Sequence, residues 1–348
     1  MLLLHASWPD AGTRVPHPAW MLHTPSMQHR LLVAARLSRD VIARARAEFD
    51  ALVHEGADDM TPDQVIDATT THGAEAIVFT HTLPLRADVI ARLPGTVRIG
   101  ATSSVGYDHI DIVAARARGL IVTNTPGVLT ECTADFTFMM LLGAARRASE
   151  YERIMREGWR RRFGQGDLLG IRVSGKRLGI LGMGRIGRAV ARRARGFDMT
   201  VLYHQPRRLA PELEEGARYF ATLHDMLPHC DFLSIHAPAK PDTDRIIDAA
   251  ALARLPRGAV VVNVARGALV DEDALYEALA CGHVFAAGLD VFRSEPDYDL
   301  RFSQLPNVLL APHMGSASVE TRNAMGFRAL DNIAAVLGGR GPIDPLWA

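Results

Sequence analysis

Three segments late in the chain carry charged or titratable side chains where an apolar strand should simply stop: Asn263-Val264-Ala265-Arg266-Gly267, Asp290-Val291-Phe292-Arg293-Ser294-Glu295-Pro296 and Ala311-Pro312-His313-Met314-Gly315-Ser316. Ligands of doubly wound sheets bind outside the carboxyl ends of the strands, so residues just past three such ends share one edge. His313 can give or take a proton near neutral pH. Glu295 can bond the far ring nitrogen, fixing the tautomer and favouring the protonated ring. Arg266 is a permanent cation able to hold a carboxylate and an adjoining carbonyl oxygen together. A carbonyl that receives hydride builds negative charge on its oxygen, and needs a proton donor and a fixed cation beside it. Singly, each residue has a plainer reading: a capped loop histidine, a surface ion pair, a solvated carboxylate. Together on one edge, they meet what hydride transfer to a 2-oxo acid would require.

A hydride source is implied earlier in the chain. The apolar run 178–181 is followed by Gly182-Met183-Gly184-Arg185-Ile186-Gly187 and then by a helical run over 188–195. Strand, G-x-G-x-x-G and helix in that order form a dinucleotide fingerprint: the glycines allow a tight turn, close approach to pyrophosphate and close helix packing. The helix N-terminus supplies N–H groups for the anion. When such a site binds NAD, the second strand ends in a carboxylate for the ribose 2′-hydroxyl. Residues 203–208 read Tyr-His-Gln-Pro-Arg-Arg, with no carboxylate. Gln205, Arg207 and Arg208 are the candidate contacts there, and two guanidiniums suit a 2′-phosphate, so NADP is favoured over NAD. The plainer reading is a pair of solvated surface arginines.

These residues need two scaffolds. From His29 onward, short aliphatic runs alternate with longer amphipathic ones, the pattern of parallel strands with crossover helices. A first series has strands at 30–35, 76–80, 97–102 and 120–124, with helices such as 39–52; a second has six, at 178–181, 200–203, 232–236, 260–264, 286–291 and 308–310. The fold expected is α/β with two doubly wound parallel-sheet domains: a flavodoxin-like substrate domain and a Rossmann dinucleotide-binding domain. The substrate domain is assigned to residues 27–127 and is completed by 317–348 through a returning helix at 318–337. The nucleotide domain, 128–316, is inserted between. The opening 26 residues show no helical or strand period and are expected to be a disordered tail, with Met27 a candidate natural start.

Composition excludes several classes. The 348-residue chain is 48% hydrophobic with a formal net charge of zero, whereas a nucleic-acid binder usually carries a basic excess. No apolar run approaches the roughly 18 residues that cross a bilayer. Cys132, Cys230 and Cys281 are far apart, without metal-type spacing, so no metal is expected and a reduced, cytoplasmic protein is.

At this point the chain closely resembles the D-2-hydroxyacid dehydrogenase family, over about residues 28–339. The resemblance is carried by Ser104-Val105-Gly106-Tyr107-Asp108-His109-Ile110-Asp111, Asn124-Thr125-Pro126-Gly127, the glycine fingerprint, His236-Ala237-Pro238 and Gly288-Leu289-Asp290-Val291-Phe292, with the three strand-end segments. It implies a catalytic trio of Arg266, Glu295 and His313. It implies a substrate site in which the backbone at Val105 and Gly106 grips the carboxylate, near Arg266, His313 and Ser316. It places Thr130, Ala237, Pro238, Thr243, Ala265 and Asp290 near the cofactor, Asp290 beside the nicotinamide.

Within the family, the glycine loop and the Gln205-Pro206-Arg207 stretch are most similar to the glyoxylate and hydroxypyruvate reductase branch, which implies a small 2-oxo acid substrate and NADPH. Formate dehydrogenases differ in pairing the histidine with glutamine. The resemblance also implies a homodimer, formed through the apolar helix at 136–145 and its following arm. That arm departs from the branch, with Arg160, Arg161 and Arg162 where a second aromatic is usual after Trp159. Two alternatives stay open on sequence: a dehydrogenase for a larger sugar-derived acid, and a non-enzymatic NAD(P)-sensing corepressor on the same fold.

Overall fold

The computed structural model describes residues 28–347. The tail assigned to residues 1–26, and Met27, lie outside them. Strands β1 (Arg30–Val33), β2 (Asp50–Val53), β3 (Ala76–Phe79), β4 (Ile99–Thr102) and β5 (Ile121–Thr123) form a parallel sheet in the order β2-β1-β3-β4-β5. That is the flavodoxin-like order. Strands β6 (Arg177–Leu181), β7 (Thr200–His204), β8 (Arg218–Phe220), β9 (Phe232–Ile235), β10 (Ala259–Asn263), β11 (Val284–Leu289) and β12 (Val308–Leu310) form a second parallel sheet in the order β12-β11-β10-β9-β6-β7-β8. Its order is that of a dinucleotide-binding sheet with one further strand at the edge. The chain therefore has the expected two-sheet α/β fold.

Strands covered on both faces need apolar residues at every position, not at alternate ones. Hence β3 reads Ala-Ile-Val-Phe and β10 reads Ala-Val-Val-Val-Asn, every residue buried. The pleat deals these side chains to opposite faces. On one face of the first sheet Leu32, Ile77 and Phe79 meet Val65, Ile90 and Leu120. On the other, Leu31, Val33, Val78 and Ile99 meet Ala329, Leu330 and Ile333 of the helix Val319–Leu337. Ser318 caps this helix by accepting from the Thr321 amide, and the chain then returns to β5, where Leu346 N donates to Val122 O at 3.0 Å.

Two strands escaped the sequence reading. The helix expected over 39–52 ends at Glu48, and β2 follows at Asp50. Nothing like Gly or Pro marks the change, and as an edge strand β2 alternates exposed and half-buried residues, which also fits a helix end. β8 is an edge strand of only three residues, so the nucleotide sheet has seven strands instead of six. The apolar helix runs over Thr130–Ala145, with a polar first turn ahead of its apolar run at 136–145.

Among the described residues no helix is long and apolar enough to cross a membrane. All three cysteines are free.

Candidate active site

The turn after β12 carries the first chemical group. His313 has φ +57°, left-handed backbone that costs a non-glycine residue about 1–3 kcal/mol unless its surroundings fix it. Asp290 fixes it. Its carbonyl accepts from His313 N at 2.8 Å, and its carboxylate, 1% exposed, accepts from Met314 N at 2.6 Å and Gly315 N at 2.8 Å. Burial raises the Asp290 carboxyl above its ordinary range. Both its oxygens are thus committed to the turn that presents His313.

His313 Nδ1 lies 2.7 Å from Glu295 Oε2, and Glu295 Oε1 accepts from Phe292 N at 2.8 Å. Burial alone would raise the Glu295 carboxyl; the hydrogen bond and charge of His313, with the Phe292 amide, outweigh it and hold the group below its ordinary value. An ionised carboxylate therefore fixes the ring through Nδ1. Nε2 has no hydrogen-bond partner among the described residues.

Arg266 follows β10 and reaches toward the first sheet. Asn263, 1% exposed, shapes its turn: Oδ1 accepts from Ala265 N at 3.0 Å and Nδ2 donates to Arg266 O at 2.9 Å. The guanidinium donates to Ala265 O at 2.7 Å and pairs with Asp108 at 3.0 Å. A Cβ at Gly106 would sit 1.6 Å from Arg266 Nη2, so a side chain there would displace the guanidinium from this position. The loop carbonyls are tied back, Val105 O to Asn124 Nδ2 at 2.8 Å and Gly106 O to Ser104 Oγ at 2.7 Å. The amides of Val105 and Gly106 find no acceptor among the described residues. Ser316 is half-buried two residues before the cap of the last helix.

At the glycine loop, Gly182 has φ +94°, and a Cβ there would lie 2.7 Å from Ala237 N, while a Cβ at Gly187 would lie 2.3 Å from Gly182 O. A Cβ at Gly184 would meet nothing within 4 Å, so internal packing does not require that glycine; a ligand's close approach would. Gly184 stands at the N-cap of the helix Arg185–Arg195, and the arrangement fits a dinucleotide pyrophosphate. Ala237 is buried, Pro238 is exposed, and Thr243 Oγ1 closes the loop between them by donating to Pro238 O at 2.9 Å. Ala265 and Thr130 are half-buried.

The end of β7 separates the two arginines. Gln205 Oε1 accepts from Met183 N at 3.1 Å, joining this strand end to the glycine loop. Arg208 donates to both oxygens of the buried Glu214 at 2.8 and 3.0 Å, and Tyr203 Oη donates to the same carboxylate at 2.5 Å. Arg207 is exposed and makes no ion pair among the described residues.

One group at this edge was not foreseen. The His81 ring, just past β3, lies 4.5 Å from the His313 ring, tilted by 37°. Burial, then the charges of His313 and Arg266, push it down to about 4, so it is neutral at physiological pH. Ligand atoms of His81, Glu295 and His313 lie within 4.8 Å of one another, though Glu295 is already bonded to His313. The signal was available: His81 follows the carboxyl end of a strand in a doubly wound sheet. Asp108 stood in a recognised motif, but its partner is 158 residues away.

A family model described as "D-isomer specific 2-hydroxyacid dehydrogenase, NAD binding domain" matches residues 138–315. A glyoxylate reductase of Korarchaeum cryptofilum is 42% identical over 322 residues, covering 92% of this chain and 95% of that one. The chain belongs to the D-2-hydroxyacid dehydrogenases. A glycerate dehydrogenase of Hyphomicrobium methylovorum is 39% identical over 318 residues, covering 89% and 96%. The crystal structure of an NADPH-dependent glyoxylate/hydroxypyruvate reductase from Sinorhizobium meliloti, in complex with NADP and malonate, is 34% identical with a TM-score of 0.80, covering 92% and 97%.

Two other motif histidines of the dehydrogenase lie against hydroxyls. His109 is buried, with its Nε2 3.3 Å from Thr102 Oγ1, and His236 Nε2 is 2.8 Å from Ser234 Oγ. Desolvation pushes His109 down to about 4 and His236 to about 3.

Proposed function

We propose that this dehydrogenase reduces a small 2-oxo acid, glyoxylate or hydroxypyruvate, to the D-2-hydroxyacid with NADPH. The observation that carries the reading is the His313–Glu295 pair at 2.7 Å, with Nε2 left free. Bound NADPH supplies the hydride. Arg266 holds the substrate carboxylate and polarises the carbonyl, the free amides of Val105 and Gly106 bind the carboxylate, and His313 Nε2 delivers a proton to the forming alkoxide. Glu295 stabilises the imidazolium and fixes its tautomer. Gly182, Met183, Gly184, Arg185, Ile186 and Gly187 cradle the pyrophosphate. At the ribose end, the missing carboxylate and the unpaired Arg207 support NADP.

Exposed Met155, Trp159 and Leu169 on the arm after the apolar helix support a homodimer, and the free cysteines support a cytoplasmic setting.

The test is turnover of glyoxylate, hydroxypyruvate, pyruvate and bulkier sugar-derived 2-oxo acids, each with NADPH and NADH. Reduction is expected with the small acids, and His313→Ala should lower kcat by about 10²–10⁴-fold. Reduction needs the protonated ring and oxidation the neutral one, so kcat/KM should fall with rising pH in one direction and rise in the other. Parallel pH profiles would remove His313 from the proton-donor role.

A further inference from the structure

The geometry points to His81 as a specificity-determining residue: we propose that its ring hydrogen-bonds a hydroxyl on C3 of the substrate, so that the site prefers 3-hydroxy-2-oxo acids to their 3-deoxy counterparts. The inference rests on the reading of His313 as the proton donor.

His81 is half-buried beside the His313 ring, with centroids 4.5 Å apart. Of its charged neighbours, Glu295 holds His313 and Arg266 is tied to Asp108 and Ala265, while Arg322 has no side-chain partner among the described residues. Neither nitrogen of His81 has a hydrogen-bond partner among the described residues, whereas His109 and His236 each have a neighbouring hydroxyl. A side chain in a cleft with both ring nitrogens unbonded within the protein is free to bond a ligand.

The substrate's own valences show which group reaches it. C2 of a 2-oxo acid bears a carboxylate, a carbonyl oxygen and one remaining substituent. The loop amides and Arg266 take the carboxylate, and His313 takes the carbonyl oxygen. The third substituent is the one left for His81, whose ring lies against that of His313. The neutral state of His81 at physiological pH fits a hydroxyl better than a second carboxylate. A neutral imidazole offers one donor and one acceptor, as a hydroxyl does. A site built to bond a hydroxyl discriminates against the analogue that lacks it, because the protein group is then left unpaired.

Hydroxypyruvate and pyruvate differ by that one hydroxyl. The experiment compares kcat/KM for the two acids in the wild-type enzyme, in His81→Leu and in His81→Gln. Taking the ratio within each preparation cancels any loss of folded enzyme, which keeps the test valid where the apolar variant folds poorly. The wild type should favour hydroxypyruvate, His81→Leu should lower the ratio by about tenfold, and His81→Gln should retain part of it. Glyoxylate, which has no C3, should show a kcat/KM altered far less than that of hydroxypyruvate. A ratio unchanged in His81→Leu overturns the assignment of His81 and leaves the reductase reading standing. Absence of turnover in the wild type with all three acids overturns both.

Discussion

The two ends of the nucleotide-binding sheet's ligand edge are built differently. Beyond β10, β11 and β12 nearly every chemical group is locked by another: His313 by Glu295, its turn by Asp290, Arg266 by Asp108 and Asn263. Beyond β7 two groups are locked, Gln205 on Met183 and Arg208 on Glu214, and one is free, Arg207. Locked groups are already oriented for reaction and leave little to be arranged on binding. A free surface arginine contributes only when a ligand arrives. The first region should therefore lose rate when broken, and the second should lose selectivity or stability.

Glu295→Gln tests the locked region most severely. Glutamine keeps the shape and a hydrogen-bond acceptor but removes the negative charge beside the His313 ring. Reduction should slow by about 10–100-fold in kcat, with the KM for NADPH unchanged. Steady-state kinetics at neutral pH decide it: a mutant with near wild-type kcat would mean that Glu295 contributes orientation alone.

How much of this was legible in the sequence follows from distance along the chain. The glycine loop is a local device, and its geometry was readable because strand, turn and helix are consecutive. The strand-end residues were readable as a set because parallel sheets send all carboxyl ends to one edge. Partnerships were not. Asp108 and Arg266 meet from different sheets, 158 residues apart, and His81 reaches His313 only because the first sheet faces the second. Arg208 looked equivalent to Arg207; its engagement depends on Glu214, six residues on, a carboxylate buried by a turn the sequence does not announce. Edge strands β2 and β8 were missed because half-exposed strands lose the continuous apolar signature that marked the central ones.

Arg207→Ala addresses the free region. On the NADPH reading proposed above, loss of this guanidinium should raise the KM for NADPH by about tenfold, with kcat and the KM for NADH little changed. An equal change for both cofactors would move Arg207 from phosphate recognition to a general effect on the site.

Arg208→Ala should have the smallest effect on catalysis, since the guanidinium is already held by a carboxylate, and should act instead on stability. The hydrogen bonds of Arg208 and then Tyr203 hold the Glu214 carboxyl at about 2, below its ordinary 4.5. A carboxyl depressed in the folded state stabilises the fold fully above the unfolded value, and that contribution fades as pH falls from there toward the folded value. The urea midpoint of Arg208→Ala should thus lie below wild type at pH 7, and the gap should narrow below pH ~4.5 as Glu214 loses its advantage in both proteins. A gap independent of pH would assign the loss to packing of the arginine stem over Tyr219, whose ring centre lies 5.9 Å from the guanidinium carbon, and would leave the ion pair with no measurable part in holding the β7 rim.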